Sequence, residues 1–196
     1  MARRRQLGQT ESRGWRTAWL PASLLHKDQQ NRLGDALFAA TRRWALALHF
    51  NKGLAGAPEE EVTAARDTAM NPAVLDAFAL VICAGEGPPS YPGIAGHEPD
   101  LPVARRRADA IGNAMSEIRR LVPHAGSYVS ESNFFDDAWQ QSYWGSNYPR
   151  LLAVKDRYDP DGLFLVHHGV GSERWSADGF TRVGPRTHGR SSTIRS

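Results

Sequence analysis

The fold of this chain is decided by the stretch WALALHFN, residues 44–51. Its large apolar side chains stand at every second position: Trp44, Leu46, Leu48 and Phe50. This period of two predicts a β-strand with one fully apolar face. The intervening side chains are small at first and then polar, ending in His49 and Asn51. We therefore expect the strand to pack against a core on one side and to line a cavity on the other.

Helical and strand patterns alternate on both sides of this stretch. Residues 28–43 and 101–121 carry apolar side chains at spacings of three and four, which predicts amphipathic helices. Residues 58–68 suit a short helix that begins with proline and acidic residues. The apolar run 77–84 predicts a central strand. Because helices and strands alternate irregularly, we predict an α+β fold with one mostly antiparallel sheet and helices packed on one face.

Weaker signals concern the loops and the carboxy-terminal third. The loop 85–99 is rich in proline and glycine, and its length indicates a rim or lid more than a connector. Residues 127–131 favour a strand and residues 136–141 a short helix. A longer helix is predicted over 147–158, with Ser146 as its cap.

The positive charge of the chain sits at its two ends. The net charge is +3, but the ends 1–20 and 184–196 carry +4 and +3, which leaves −4 on residues 21–183. A nucleic-acid-binding surface would place basic residues on the folded body. A nucleic-acid binder is therefore the weakest interpretation. No apolar run could span a membrane and no secretory signal is present, so we expect no membrane partner and a cytoplasmic location.

The sequence contains no complete motif for metal or nucleotide chemistry. Cys83 is the single cysteine and lies in an apolar run, which predicts a buried, inert thiol. His167 and His168 are adjacent, so on an extended segment their rings would point in opposite directions and could not share a metal. No glycine-rich run continues into a dinucleotide fingerprint or a phosphate loop. We therefore predict no metal site.

Aromatic side chains are dense between residues 128 and 175, where they mix with a few polar residues such as Glu131 and Asn147. Aromatic walls with a few convergent polar groups are what a planar organic ligand needs. The alternative is that these aromatic side chains simply fill a core. Composition alone leaves both interpretations open.

Several motifs in this region together resemble the berberine-bridge-type segment of the FAD-linked oxidases, which are relatives of vanillyl-alcohol oxidase and p-cresol methylhydroxylase. They stand in the order and at the spacing of that family: SYVSESNFF (127–135), WQ (139–140), YWGSNYPRL (143–151) and VKDRYDPDGLF (154–164). Upstream, TAWLP (17–21) and HFNKGLAG (49–56) resemble the substrate domain of the same oxidases. The resemblance covers roughly residues 15–183.

The resemblance implies oxidation of an alcohol, a sugar or a similar small molecule by hydride transfer to FAD. In the family one domain holds most of the FAD, and a substrate domain, an antiparallel sheet backed by helices, covers the flavin ring. We accordingly divide the chain into four parts: an irregular tail (1–18), part of a substrate domain (19–125), a berberine-bridge-type segment (126–183) and a disordered tail (184–196).

The motif positions also suggest roles for individual residues. Asn147 matches the asparagine that lies against the flavin ring in the family, and Tyr143 and Gly145 of the same motif are expected beside the cofactor. Glu131 stands where many relatives have a tyrosine, and it is the candidate base for the proton of the substrate. Core packing is an equally good explanation for Tyr143.

Three further residues are candidates for substrate binding. Tyr128 belongs to the first motif and would be a pocket aromatic, although it too could be a core residue. His49 and Asn51 lie on the polar side of their predicted strand and could meet the substrate. A satisfied structural pair is the alternative for these two.

The flavin-binding domain of the family, with its phosphate loops and flavin-attaching residues, is missing from this sequence. We therefore expect the substrate-side and carboxy-terminal portion of an FAD-dependent oxidoreductase: a fragment, a truncated reading frame or one subunit of a split enzyme. Its partners would be a small-molecule substrate and a separate flavin-binding polypeptide. The alternative is a non-catalytic remnant that binds a small ligand or nothing.

Overall fold

The computed structural model describes residues 13–51, 53–54 and 56–184. Its strands and α-helices are, in chain order, β1 (Arg13–Pro21), α1 (Gln30–Thr41), β2 (Ala47–Phe50), α2 (Glu59–Arg66), β3 (Ala77–Glu86), α3 (Leu101–Leu121), α4 (Trp139–Trp144) and α5 (Tyr148–Tyr158). Short 3₁₀ turns lie at Ala22–Leu25, Pro72–Val74, Val129–Glu131, Gly145–Asn147 and Ser172–Arg174. The predicted α+β class is confirmed.

The sheet is antiparallel, in the order β1-β3-β2, so the apolar run predicted as a central strand is the central strand. β2 is shorter than predicted, because only Ala47–Phe50 of the stretch 44–51 pairs with β3. Trp44 instead leaves the strand direction, and its indole Nε1 donates a hydrogen bond to the Ala84 carbonyl at 2.7 Å. One ring thereby ties the end of α1 to the central strand.

The prediction of an irregular tail over residues 1–18 is wrong for residues 13–18, which belong to β1. They pair with β3 along its length, from Arg13 opposite Glu86 to Ala18 opposite Val81. The strand is formed by hydrogen bonds to a distant partner, and its own composition carries only a weak strand signal. Residues 1–12 and 185–196 lie outside the described residues, and the division of the chain at residue 125 stays a prediction.

One face of the sheet carries the core, and α1 and α3 cover it. The buried cluster contains side chains from both long strands and both helices: Ala18, Leu20, Leu33, Ala40, Val81, Cys83, Ile111, Ala114, Met115 and Ile118. The helices are therefore packed on one face, as predicted. Cys83 is fully buried there, and burial raises the pKa of its thiol to about 12, so it stays protonated and unreactive.

α3 occupies the predicted residues 101–121, because local signals define both of its ends. The Asp100 carboxylate accepts a hydrogen bond from the Val103 amide at 3.0 Å, which caps the helix, and Pro102 stands in the first turn. Pro123 follows shortly after Leu121, where the helix stops. The buried side chains between these ends recur at spacings of three and four, so the helix presents one apolar stripe to the sheet.

The prediction of a strand over 127–131 is wrong, since Val129–Glu131 forms a 3₁₀ turn. The chain does approach the free edge of β1, where the Trp19 amide donates to the Gly126 carbonyl at 3.0 Å. The Tyr128 amide then donates to the Thr17 hydroxyl at 3.0 Å instead of to a backbone carbonyl. A side chain thus replaces the next rung of the ladder, and the strand does not continue.

The carboxy-terminal helices begin later than predicted. α4 starts at Trp139, and residues 136–138 lie outside it. α5 starts at Tyr148 with Asn147 at its cap position, so the prediction of Ser146 as the cap is wrong. The reason is the 3₁₀ turn Gly145–Asn147, which encloses Ser146. Across the described ranges, no helix is both long and apolar enough to cross a membrane.

Candidate functional site

The sheet face opposite the core carries a row of side chains that runs across the strands. Trp19 on β1 and His49 on β2 both pair with Leu80 of the central strand. Side chains of paired residues lie on the same side of a sheet, so Trp19 and His49 face the same way, roughly 10 Å apart. Leu80 is buried between them and His49 is exposed. This face is the surface that α1 and α3 leave for other contacts.

An aromatic pocket adjoins this row at Trp19. It has a volume of about 120 Å³, and its aromatic walls are Trp19, Tyr128, Tyr143 and Trp144. The rings of Trp19 and Tyr128 meet edge to face, with centroids 6.4 Å apart. The volume accommodates the edge of a planar ligand and excludes a whole one.

The indole Nε1 of Trp144 is buried beside this pocket and has no hydrogen-bond partner in the part of the chain that the structure describes. A buried donor without an acceptor costs about 1–3 kcal/mol. An acceptor atom on a bound molecule would remove that cost. Sequence reasoning did not single out Trp144, because a tryptophan in an aromatic-rich region carries no local sign that its N–H is unpaired.

Tyr143 is buried, and its hydroxyl donates a hydrogen bond to the Asn133 carbonyl at 2.9 Å. Burial is the main cause that raises the pKa of this phenol. The side chain therefore remains protonated and fixed in place. It forms a wall of the aromatic pocket, and its hydroxyl bonds within the fold; its place beside a cofactor stays a prediction.

Asn147 uses its amide group within the chain. Its Nδ2 donates to the Thr68 carbonyl at 3.0 Å and to the Met70 carbonyl at 2.7 Å. Both N–H groups are thereby engaged, which leaves the Oδ1 oxygen for a ligand. Arg150 reinforces the same contact by donating to the Thr68 carbonyl at 2.8 Å. The structure gives Asn147 an anchoring role, and its place against a flavin stays a prediction.

Asn71 connects the turn at residues 71–73 to Ser142 in α4. The sequence analysis did not select this residue. It is buried; its Nδ2 donates to the Ser142 carbonyl at 2.8 Å, and its Oδ1 accepts from the Ala73 amide at 3.0 Å. Gly145 has φ +55°, and a Cβ there would lie 2.8 Å from Asn71 Oδ1. Gly145 therefore admits the Asn71 side chain, and its place beside a cofactor stays a prediction. The signal in the sequence was the Asn71-Pro72 dipeptide, which is typical of a turn.

The remaining candidate residues lie outside the aromatic pocket. Glu131 is half-buried in the 3₁₀ turn that follows Tyr128, and it does not line the pocket. The Asn51 Nδ2 donates to the Val74 carbonyl at 2.7 Å and to the Ala77 carbonyl at 3.2 Å. These bonds tie β2 to the start of β3, as the structural alternative for Asn51 predicts. The roles of Glu131 and Asn51 toward a substrate stay predictions.

The expectation that His167 and His168 point in opposite directions is wrong. His168 has φ +57°, outside the extended region, and the two imidazole rings stack with centroids 3.7 Å apart. Phe134 stacks on His167 at 3.9 Å and Trp139 on His168 at 5.3 Å, so four flat rings form a column. Burial, and secondarily His167, lowers the pKa of His168 to about 4, so its ring is neutral near pH 7.

The described residues contain no group of three or more histidine, cysteine, aspartate or glutamate side chains placed to hold a metal ion. The stacked pair of histidines packs between Phe134 and Trp139 in the carboxy-terminal segment. The His167 Nε2 atom and the Phe134 carbonyl oxygen form a hydrogen bond of 2.8 Å. This bond ties residues 167–168 to the turn at residues 133–136.

Comparison with known proteins finds a family match in the carboxy-terminal part of the chain. Residues 117–171 match the family model described as berberine and berberine like. This range contains the end of α3, the turn with Glu131, α4, the Gly145–Asn147 turn and α5. The match thus covers Tyr128, Tyr143 and Trp144 of the aromatic pocket, while Trp19 lies outside it.

Curated relatives match about a third of the chain. An uncharacterized FAD-linked oxidoreductase of Arthroderma benhamiae is 48% identical over 63 residues, which are 32% of this chain and 11% of that protein. The VAO-type flavoprotein oxidase VAO615 of Thermothelomyces thermophilus is 46% identical over 62 residues, with the same shares. The matched part of this chain therefore corresponds to only about a tenth of the length of each of these relatives.

Solved structures extend the likeness to most of the chain. The VAO-type flavoprotein MtVAO615 from Myceliophthora thermophila C1 superposes with a TM-score of 0.62 and 25% identity, over 84% of this chain and 28% of that one. The VAO-type flavoprotein MtVAO713 from the same source superposes with a TM-score of 0.63 and 19% identity, over 84% and 27%. The second likeness shows the fold alone. The sheet and both large helices thus share their arrangement with part of these flavoproteins.

Proposed function

We propose that this chain, whose residues 117–171 match the berberine and berberine-like family model, is the substrate-side and carboxy-terminal portion of an FAD-dependent oxidoreductase. The reaction is the oxidation of an alcohol, a sugar or a similar small molecule, with hydride accepted by the flavin. One observation carries the proposal: the family segment and the VAO-type fold coincide on a chain that superposes on 28% of a complete flavoprotein of this kind.

The residues of this chain suit one side of a flavin and not the whole cofactor. The aromatic pocket offers flat walls and the unpaired indole N–H of Trp144, which suit the edge of a planar ring. The phosphates of FAD need a cradle of backbone amides, as in a glycine-rich loop before a helix, and the sequence has no such motif. We therefore place the main anchorage of FAD on polypeptide outside these residues.

Exposed apolar side chains support the proposal that a second polypeptide binds this chain. They cluster in the last part of the described chain: Tyr158, Leu163, Phe164, Val166, Phe180 and Val183. Phe180 is 90% exposed and Leu163 is 82% exposed. A large set of exposed apolar residues marks an interaction surface more than a solvent-facing one. In the proposed assembly this surface packs against the flavin-binding part.

The chain itself would orient the substrate and take up its proton. His49 and Tyr128 lie near the two ends of the sheet face that would cover the flavin ring. Glu131 follows Tyr128 by one turn and is the candidate proton acceptor. Asn71 and Asn147 tie residues 68–73 to residues 142–147 beside the aromatic pocket.

The test starts from the DNA immediately upstream of the first codon, where we expect a reading frame for a flavin-binding part. Co-expression of that part with this chain should give a yellow complex that oxidises alcohols or sugars with uptake of oxygen. The chain alone should stay colourless when mixed with FAD. A complex that binds no flavin, or that oxidises none of these substrates, would contradict the proposal.

The role of Glu131 is tested in the same complex. Glu131→Gln should lower the oxidation rate by about 10²–10⁴-fold, the usual contribution of a general base, and leave the flavin absorbance unchanged. Glu61→Gln is the matched control, since Glu61 lies on the exposed first turn of α2. Equal rates for the two variants would remove Glu131 from the chemistry.

A further inference from the structure

A second, larger cavity lies away from the aromatic pocket. It has a volume of about 610 Å³ and lies beside the first half of α3, between the start of β1, the loop 87–100 and residues 132–135. None of the candidate residues considered above lines it. We call it the α3 cavity. Its volume falls in the range of small-molecule sites, which is about 300–1,000 Å³.

The walls of the α3 cavity are largely apolar and partly flat. They include aromatic rings, aliphatic side chains and proline rings: Trp15, Pro88, Pro89, Pro99, Val103, Ile111, Phe134 and Phe135. Surfaces of this kind stabilise a planar apolar body by removing it from water. The loop that forms one wall is the proline-rich and glycine-rich stretch for which the sequence predicts a rim or lid.

The carboxylates of the α3 cavity and Arg16 lie toward opposite ends of it, and Arg107 lies between them, where its Nη1 donates to the Glu86 carbonyl at 3.0 Å. Glu98 and Asp100 lie at the start of α3, where their oxygens accept hydrogen bonds from the Gly93 and Val103 amides at 2.8 and 3.0 Å. Arg16 lies near Gly112, where a Cβ would be 3.8 Å from its Nη2. Asp100 and Gly112 are roughly 18 Å apart along the helix axis. One end of the cavity is therefore acidic and the other basic.

The basic end opens toward a smaller polar cavity of about 290 Å³, which shares Arg16 and Asn133 with the α3 cavity. Arg119 also lines this smaller cavity, and its guanidinium donates to the Ala125 and Thr17 carbonyls. Within the described ranges, Arg16 takes part in no salt bridge. Asp136 is the single carboxylate among the described lining residues, against two arginines. This end therefore carries an excess of positive charge.

We propose that the α3 cavity binds a flat, largely apolar organic carboxylate, with its ring against the apolar wall of the cavity and its carboxylate on Arg16. The planar guanidinium of an arginine matches a carboxylate with paired hydrogen bonds. Ser90 also lines the cavity, and its hydroxyl is buried without a partner in the described part of the chain. This site is independent of FAD and goes beyond the proposed oxidation.

The first test is calorimetric titration of the full chain with 2-naphthoate and with the uncharged 2-naphthalenemethanol. We expect 2-naphthoate to bind with a dissociation constant below about 1 mM. Arg16→Met keeps the apolar stem and removes the charge, and it should weaken 2-naphthoate binding about tenfold while the alcohol binds as before. Arg105→Met is the control. Arg105 is exposed on α3, and its replacement should change neither affinity.

A second measurement on the unaltered chain covers the case in which Arg16→Met does not fold. In ¹H–¹⁵N spectra, 2-naphthoate should shift the backbone amide signals of residues 132–135, which line the α3 cavity, and leave the indole N–H signal of Trp144 in place. A shift of the Trp144 signal without shifts of those amides would put the probe in the aromatic pocket and overturn the proposal. Equal affinities for the acid and the alcohol, or equal losses in Arg16→Met and Arg105→Met, would also overturn it.

Discussion

Two regions of this molecule are stabilised by different interactions. α3 buries Ile111, Ala114, Met115 and Ile118 against the sheet and α1. α5 is also amphipathic, yet none of its residues is buried in this chain. It is held by polar contacts, including the ion pairs Lys155–Asp159 and Arg174–Asp156 and the hydrogen bond from the Tyr148 hydroxyl to Glu173 at 2.7 Å.

The difference between α3 and α5 indicates where the chain is self-sufficient. An amphipathic helix derives most of its stability from burying its apolar face. α3 finds that burial within the chain, whereas α5 and the residues after it leave apolar side chains exposed. The sheet-and-helix part therefore has its own core, and the carboxy-terminal segment leaves apolar side chains exposed that the proposed partner would cover.

The largest effect is expected in the core. Ile118 is fully buried, and Ile118→Ala should lower the free energy of unfolding by about 2–5 kcal/mol, because it removes buried apolar surface and leaves a cavity. Leu163→Ala changes an exposed residue and should have an effect within about 0.5 kcal/mol. Urea unfolding followed by circular dichroism measures both. Comparable losses would mean that the carboxy-terminal segment has a core that this structure does not show.

An intermediate effect is expected where the two regions meet. Asn71→Ala removes the bonds to the Ser142 carbonyl and the Ala73 amide from a buried position, and should cost about 1–3 kcal/mol. Asn113→Ala, on the exposed side of α3, is the matched control and should cost nothing measurable. Limited proteolysis should in addition show faster cleavage near residues 139–147 in Asn71→Ala. Unchanged protection there would separate Asn71 from the aromatic pocket.

The smallest effect is a pH dependence of the carboxy-terminal segment. The pKa of His168 is lowered to about 4 in the folded chain, so the unfolded chain binds its proton more readily. The stability linked to His168 is therefore complete above about pH 6.5 and is lost as the pH falls from 6.5 to 4. Because solvent screens this partly exposed ring, we expect a loss on the order of 1 kcal/mol.

Titration of the imidazole carbon-bound protons by NMR measures this value directly. The signals of His168 should shift with a midpoint near pH 4. A midpoint between pH 6 and 7 would show that the ring column Phe134, His167, His168 and Trp139 does not persist in solution.

Local signals account for the elements that the sequence predicts well. α3 has a capping aspartate, an early proline, an apolar stripe and a terminating proline, and its bounds agree with the prediction. β3 is a continuous apolar run and is the central strand. β1 is different, because the pairing of residues 13–18 with residues 81–86 depends on contacts far apart in the sequence. No local pattern specifies such a partner.

The candidate site also combines residues that the sequence identifies with residues that only tertiary contacts bring in. The motif residues Tyr128 and Tyr143 could be selected from the sequence because they lie close together in an aromatic-rich stretch. Trp19 joins them through contacts between distant segments, among them the bond from its amide to the Gly126 carbonyl at 3.0 Å and the contact of the Thr17 hydroxyl with Ser127 at 2.7 Å. Asn71 reaches Ser142 across 71 residues of sequence, so its role as a connection was not visible in any single motif.

By itself, the sequence of this protein determined its α+β class, the extent of its long helix, its central strand and the family of residues 117–171. The tertiary structure alone decided that Trp19 and His49 share one sheet face, that His167 and His168 stack, and that the amide of Asn147 is engaged within the chain. The reason is physical. Periodicity, caps and motifs act over a few residues, whereas the positions of facing side chains and the partners of buried polar groups depend on which distant segments meet.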